Sequence, residues 1–282
     1  MAKEDLKVPS DYGDVIYRCN AESPNQLFII GLSHRDTLTL RNGTHTPRVQ
    51  AEVYKIGDWL IHEQGCELLL PEGFFKSPTP VKEKKRDATK PVFDDMKSLE
   101  ARLADNTVYV NAEMLLKEDH SLRTQQVEDK GLYEAVGADL RRLVSGPGST
   151  SEYLLLKMEL DYLQERRTAA MLQKIPEVID HEFEGGFIKS RKAIFTIGLS
   201  HLQKIIQYLS NRKIAVCPPP AASEKEKNYE ADLDLLKRNF GVSVILPRTL
   251  SEDRQALEAS QLEKIVVQYR GPSLPARSAP SP

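Results

Sequence analysis

The chain has 282 residues, of which 40% are hydrophobic and 28% charged, with a formal net charge of −2. That length is enough to bury a proper core, and the near-neutral balance excludes an overall basic field of the kind that draws proteins to nucleic acid or anionic lipid. No stretch approaches the roughly 18 unbroken apolar residues of a membrane helix, so neither nucleic acid nor a membrane is an expected partner.

Residues 15–19 and 26–30 read as strands separated by the polar turn Glu22-Ser23-Pro24-Asn25. Thr46-Pro47 reads as an N-cap followed by proline at the first helical position. Val49, Val53, Ile56, Leu60 and Ile61 recur at helical spacing, so residues 47–64 are expected to bury one face before Gly65 ends the helix. Residues 66–70 form a short apolar run suited to a covered sheet, and Glu72 follows its carboxyl end. Strand, helix and strand make a βαβ unit.

Residues 76–91 are proline-rich and charged, as expected of an exposed mobile loop. Farther on, residues 107–110 resemble a strand and 131–143 a helix, and a long helix runs from Thr150 or Ser151 to about Phe183 across Pro176. A second clear unit follows, with a strand over 193–197, a helix over 202–209 and a strand over 213–217. A charged linker over 221–229 leads to a helix over 231–240, a strand over 242–246 and a mostly helical stretch over 251–268. The expectation is one α/β domain over 1–270, a mixed and largely parallel sheet flanked by helices and built from two related halves. The tail 271–282, rich in Pro, Ser and Ala, reads as disordered. The charged start Met1-Ala2-Lys3-Glu4-Asp5 lacks a signal peptide's apolar run, and Cys19, Cys66 and Cys217 are scattered. Both features suit a cytoplasmic, reducing setting.

The two units share a tetrapeptide, Gly31-Leu32-Ser33-His34 and Gly198-Leu199-Ser200-His201, each placed after an apolar strand. In open α/β sheets ligands occupy the crevice outside such strand ends. His34 and His201 converge there if their strands are neighbours or flank the point where the chain reverses direction across the sheet, and Glu72 lies at a third strand end. Two imidazoles and a carboxylate suit a divalent ion with positions open to water or substrate. Taken singly, each histidine is equally a buried imidazole whose bonds are satisfied, and the surface is the default for His45, His62, His120 and His181. Ser33 and Ser200 are not expected to be nucleophiles, because Arg35 and Leu202 stand where a Gly-x-Ser-x-Gly elbow needs a small residue.

These motifs resemble the TraB/Tiki group, relatives of the erythromycin esterases and ChaN-like proteins. The resemblance covers residues 26–210: the pair of Gly-x-x-His motifs, the strand ending in Glu72, and Glu165-Arg166 on a later helix. It implies a metal-dependent hydrolase of peptide, amide or ester bonds, with His34, Glu72 and His201 at a manganese, cobalt or zinc ion. Glu72 would act as ligand or base, and Arg166 would steady the anionic intermediate. The substrate would be a peptide or small carbonyl compound. Erythromycin-esterase-like members imply a metal-free alternative using histidine and glutamate, and ChaN-like members imply a haem or small-ligand binding protein. The sequence departs from the group's Glu-Arg-Asp pattern by carrying Arg167 in the third place.

Overall fold

The computed structural model describes residues 6–33, 43, 45–76, 95–105, 107, 110–219 and 228–270. The elements run β1 (Gly13–Cys19), β2 (Asn25–Leu32), α1 (Thr46–Gln64), β3 (Leu68–Pro71), α2 (Met96–Ala104), α3 (Ala112–His120), β4 (Arg123–Thr124), α4 (Lys130–Val144) and α5 (Thr150–Glu184). They continue with β5 (Lys192–Gly198), α6 (Leu199–Asn211), β6 (Lys213–Val216), β7 (Tyr229–Asp232), α7 (Asp234–Lys237), β8 (Phe240–Pro247), α8 (Arg248–Glu252), α9 (Arg254–Ala259) and α10 (Glu263–Arg270).

Six strands form the main sheet in the order β1-β8-β2-β5-β3-β4, and β6 pairs with β7 in a separate ribbon. Every pairing in the main sheet is parallel except that of β1 with β8. The fold is therefore α/β with a mixed, mostly parallel sheet. Its inner strands are near-continuous apolar runs because helices cover both faces: Leu27–Leu32, all of β3 and all of β8 are buried. One helical layer gathers α1 with α2, α3 and α8, and the other gathers α5 with α4, α6 and α7.

The strand order fixes where a crevice opens. From β2 the chain passes over β5 to reach β3, whereas from β5 it passes over β2, in the opposite direction, to reach β8. Right-handed crossovers put the helices that follow β2 and β5 on opposite faces. The gap between the carboxyl ends of β2 and β5 is thus the switch point of the sheet.

Several expectations change. The helix expected over 231–240 is instead β7, the four-residue α7 and the start of β8. An apolar period over so short a window fits either state, and pairing with β6 decides for strand. Of the strand expected over 107–110 only Thr107 and Val110 are described, and neither is in a strand. The α1 N-cap is His45, one residue before the expected Thr46, with Pro47 in the first turn. Nearly all of the loop expected over 76–91 and the whole tail over 271–282 lie outside the described residues. Among the described residues no helix is long and apolar enough to cross a membrane.

Candidate functional site

The two Gly-Leu-Ser-His turns leave neighbouring strands. β2 and β5 pair in parallel with Leu32 opposite Gly198, so the tetrapeptides sit side by side, offset by one residue. Gly31 is required by packing, since a Cβ there would overlap a δ-methyl of Leu202 on α6. Past the strand end, the Ser33 carbonyl accepts from the buried Gln50 amide at 2.9 Å, and the same amide's oxygen takes the Ala112 N–H at 2.9 Å. This ties the first turn to α1 and α3. His34 lies outside the described residues.

His201 falls in the first turn of α6 with its side chain 5% exposed. Its Nδ1 is 2.5 Å from Thr168 Oγ1 on α5, and that hydroxyl donates its proton to the Gln164 carbonyl at 2.8 Å. With its one proton given to Gln164, Thr168 accepts from Nδ1–H. Nε2 is then turned toward Glu72, 3.4 Å from its Oε1.

Glu72 is 8% exposed at the turn after β3. Its Oε2 accepts the Gly198 N–H at 2.5 Å, which sets the carboxylate on the N-terminus of the 13-residue α6, where the helix dipole favours an anion. Oε1 accepts from Arg167 Nη2 at 2.7 Å. The same guanidinium meets the fully buried Glu128 twice, Nε to Oε1 at 2.9 Å and Nη2 to Oε2 at 2.7 Å, and lies 5.0 Å from the centre of the Tyr133 ring. Burial alone would depress this guanidinium, but Glu128 and Glu72 outweigh it and hold Arg167 above its ordinary value.

The arginine on Glu72 is Arg167, whereas Arg166, expected to steady an anionic intermediate, makes no contact with that carboxylate among the described residues. Successive residues of a helix point about 100° apart, and the three residues Glu165, Arg166 and Arg167 accordingly serve three surroundings. Glu165 accepts from Tyr208 Oη at 2.8 Å and pairs with Lys204 Nζ at 2.9 Å, joining α5 to α6. Burial, with Glu165 beside it, pushes the Tyr208 phenol well up. Arg166 donates to Tyr162 Oη at 3.0 Å and lies over the Tyr162 and Tyr229 rings. Only Arg167 turns inward.

Thr168, Glu128 and Gln164 were not singled out in the sequence. Thr168 stands one turn after Gln164 on the same helix face, a spacing that carries no signal until the facing imidazole is known. Glu67 points away from the crevice, accepting the Lys189 N–H at 2.5 Å. Ser200 is exposed on α6.

Among the described residues two candidate metal ligands, His201 Nε2 and Glu72 Oε1, meet here, and Arg167 Nη2 lies 2.7 Å from the same Oε1. An imidazole nitrogen and a carboxylate oxygen 3.4 Å apart have the spacing of two ligands on one tetrahedral centre with bonds of about 2.1 Å. The chain has no significant match to any family model, curated protein or solved structure.

Proposed function

We propose that this chain is a hydrolase of peptide, amide or ester bonds acting at the β2/β5 switch point, with His34, Glu72 and His201 as ligands of a divalent ion, as expected of a TraB/Tiki-like protein. The single observation that carries the reading is the orientation of His201. Thr168 uses up Nδ1 and leaves the Nε2 lone pair turned on Glu72 Oε1 at 3.4 Å. A lone pair facing a carboxylate repels it, unless a proton or a cation stands between them.

A divalent ion supplies Lewis acidity toward a carbonyl and lowers the pKa of water. The protein's own groups do the rest. Thr168 keeps the imidazole in one tautomer, an outer hydrogen bond of the sort that orients metal-binding histidines. The Gly198 N–H and Arg167 fix the Glu72 carboxylate in place, and Glu128 anchors Arg167 in turn. Gly31 leaves room for the Leu202 side chain of α6 against the strand end.

A metal-free alternative, in which His34 and Glu72 do the acid–base work and take a proton from the attacking water, draws support from the same carboxylate, which two hydrogen bonds hold in place. Hydrolysis of a panel of peptides and esters distinguishes the two. Glu72→Gln and His201→Ala are expected to lower turnover at least about 100-fold, with chelator abolishing the wild-type rate and Mn²⁺, Co²⁺ or Zn²⁺ restoring it. Activity that resists chelator but is lost in Glu72→Gln selects the metal-free route. Undiminished hydrolysis in both variants overturns the site.

A further inference from the structure

The helical layer formed by α1, α2 and α3 carries a second group of potential ligands, outside the crevice. Asp58 and His62 lie one turn apart on α1 and face His120, the last residue of α3. One ligand atom from each falls within 4.8 Å of the other two. Asp58 Oδ1 is 3.1 Å from His120 Nε2 and 3.3 Å from His62 Nδ1, and the two imidazoles meet edge to face with centroids 5.3 Å apart.

We propose that Asp58, His62 and His120 form a binding site for a divalent transition ion of the zinc class, independent of the hydrolytic crevice. Four observations favour it over a plain ion pair. First, the donor set is two imidazoles and one carboxylate, the mixture that borderline ions such as Zn²⁺, Co²⁺ and Ni²⁺ take, and it leaves a fourth position for water.

Second, His120 Nε2 is buried and makes no hydrogen bond among the described residues, although it lies 3.1 Å from Asp58 Oδ1. The contact is close enough for His120 to hold the Asp58 carboxyl below its ordinary range, yet it is misaligned for a straight N–H to oxygen bond. Two ligands of one ion approach each other in this way without pointing at each other.

Third, His62 Nδ1 lies 2.9 Å from the Asp58 carbonyl oxygen. A ring N–H given to that carbonyl, and shared with Asp58 Oδ1 at 3.3 Å, is an outer partner of the usual kind for a metal-binding imidazole, and it leaves Nε2 as the nitrogen that would take the ion.

Fourth, the site gathers two helix C-termini, because His62 stands in the last turn of α1 and His120 in the last turn of α3. The unsatisfied carbonyls there give a negative potential that favours a cation. Nearby, Tyr54 Oη donates to Asp119 Oδ2 at 2.7 Å and fixes the residue before His120.

The site is remote from the crevice. α1 leaves the carboxyl edge of the sheet after β2 and returns to the amino edge before β3, and its 19 residues span about 28 Å. Asp58 and His62 occupy its last two turns. An ion held there would pin α1 to α3, whose contact is already close at Gly57, where a Cβ would overlap Leu116.

The test uses the full chain carrying Glu72→Gln and His201→Ala, which disables the crevice, titrated with Zn²⁺ and separately with Co²⁺ alone. One equivalent is expected to bind, with a visible Co²⁺ absorption and a rise in the unfolding midpoint. Adding His62→Ala, at a side chain 62% exposed and so tolerant of truncation, is expected to weaken Zn²⁺ binding at least about 100-fold, beyond what loss of an outer partner costs. Absence of Zn²⁺ or Co²⁺ binding in the crevice-disabled chain overturns the proposal, as does affinity unchanged by His62→Ala and His120→Ala. Because the readout is metal binding and not turnover, failure here leaves the hydrolytic reading untouched, and the reverse also holds.

Discussion

The two edges of the main sheet use similar side chains to opposite ends. At the carboxyl edge Glu72, Glu128, Arg167 and His201 are all less than a tenth exposed, and each is held by hydrogen bonds from a different element. At the amino edge Asp58, His62 and His120 meet in a shallow cluster with exposures of 30%, 62% and 14%. Burial makes the difference. Charges taken out of water must be satisfied in place, which freezes their geometry, whereas a half-exposed cluster can exchange partners with solvent or a ligand at little cost. The crevice groups are therefore fixed by the fold, whereas the α1/α3 cluster stays partly open to solvent.

Removing the central cation is the severest way to break that contrast. Arg167→Met leaves Glu72 and Glu128 without their guanidinium in a buried setting and is expected to cost about 3–5 kcal/mol in urea unfolding. Its neighbour is the control, since Arg166→Ala removes one hydrogen bond to Tyr162 and stacking on two rings, at a cost of less than about 1 kcal/mol. Equal losses for the two would mean that the buried network carries no special weight. A fall in turnover without a fall in stability in Arg166→Ala would return that residue to the oxyanion role expected from sequence.

A gentler probe is Thr168→Val, which keeps the volume and deletes the hydroxyl. It strands His201 Nδ1 and is expected to cost about 1–3 kcal/mol. It also frees the imidazole to take either tautomer, so metal affinity in the crevice should drop about 10–100-fold. Retained affinity alongside lost stability would make Thr168 a packing residue only.

The smallest effect concerns the far end of α5, where Glu182 accepts from Arg123 and from the Gln125 amide at 2.6 Å. Burial pushes the Glu182 carboxyl up, but Arg123 and Gln125 more than reverse it and leave it below its ordinary range. A carboxyl depressed in the folded state contributes stability that is fully present above its unfolded pKa of about 4.3 and is lost as pH falls through the lower folded value. Unfolding midpoints should thus decline below about pH 4 in the wild type and flatten in Arg123→Met; parallel curves would mean the pair contributes nothing.

The sheet's inner strands were readable because helices cover both faces, and two-sided burial writes itself as mostly apolar runs, interrupted only by single polar residues such as Thr196 and Ser243. Helix α1 was readable from its period. The middle of the chain was not. Helices α2 and α3 are nine residues each, with two and three buried apolar side chains, too few for a periodic signal. At the site, the strand-end glycines and Glu72 could be anticipated because a strand terminus is a local property. Which of two adjacent arginines turns inward depends on the rotation of α5 about its axis, set by Tyr208 and Lys204 on α6. Glu128 comes from a segment with no motif at all.

The pairing of β2 with β5 aligns Gln26 with Lys192, bringing together segments separated by more than half the polypeptide. Ribosomes release the first Gly-Leu-Ser-His turn long before the second exists, and contacts between such distant segments form slowly because the loop between them must close first. A nascent chain stalled before Gly198 would hold the α1 end of the crevice with no imidazole across from it. Complementation between fragments divided in the surface turn 145–149 would then bring Glu72 and His201 together only after the two pieces had zipped along that parallel ladder.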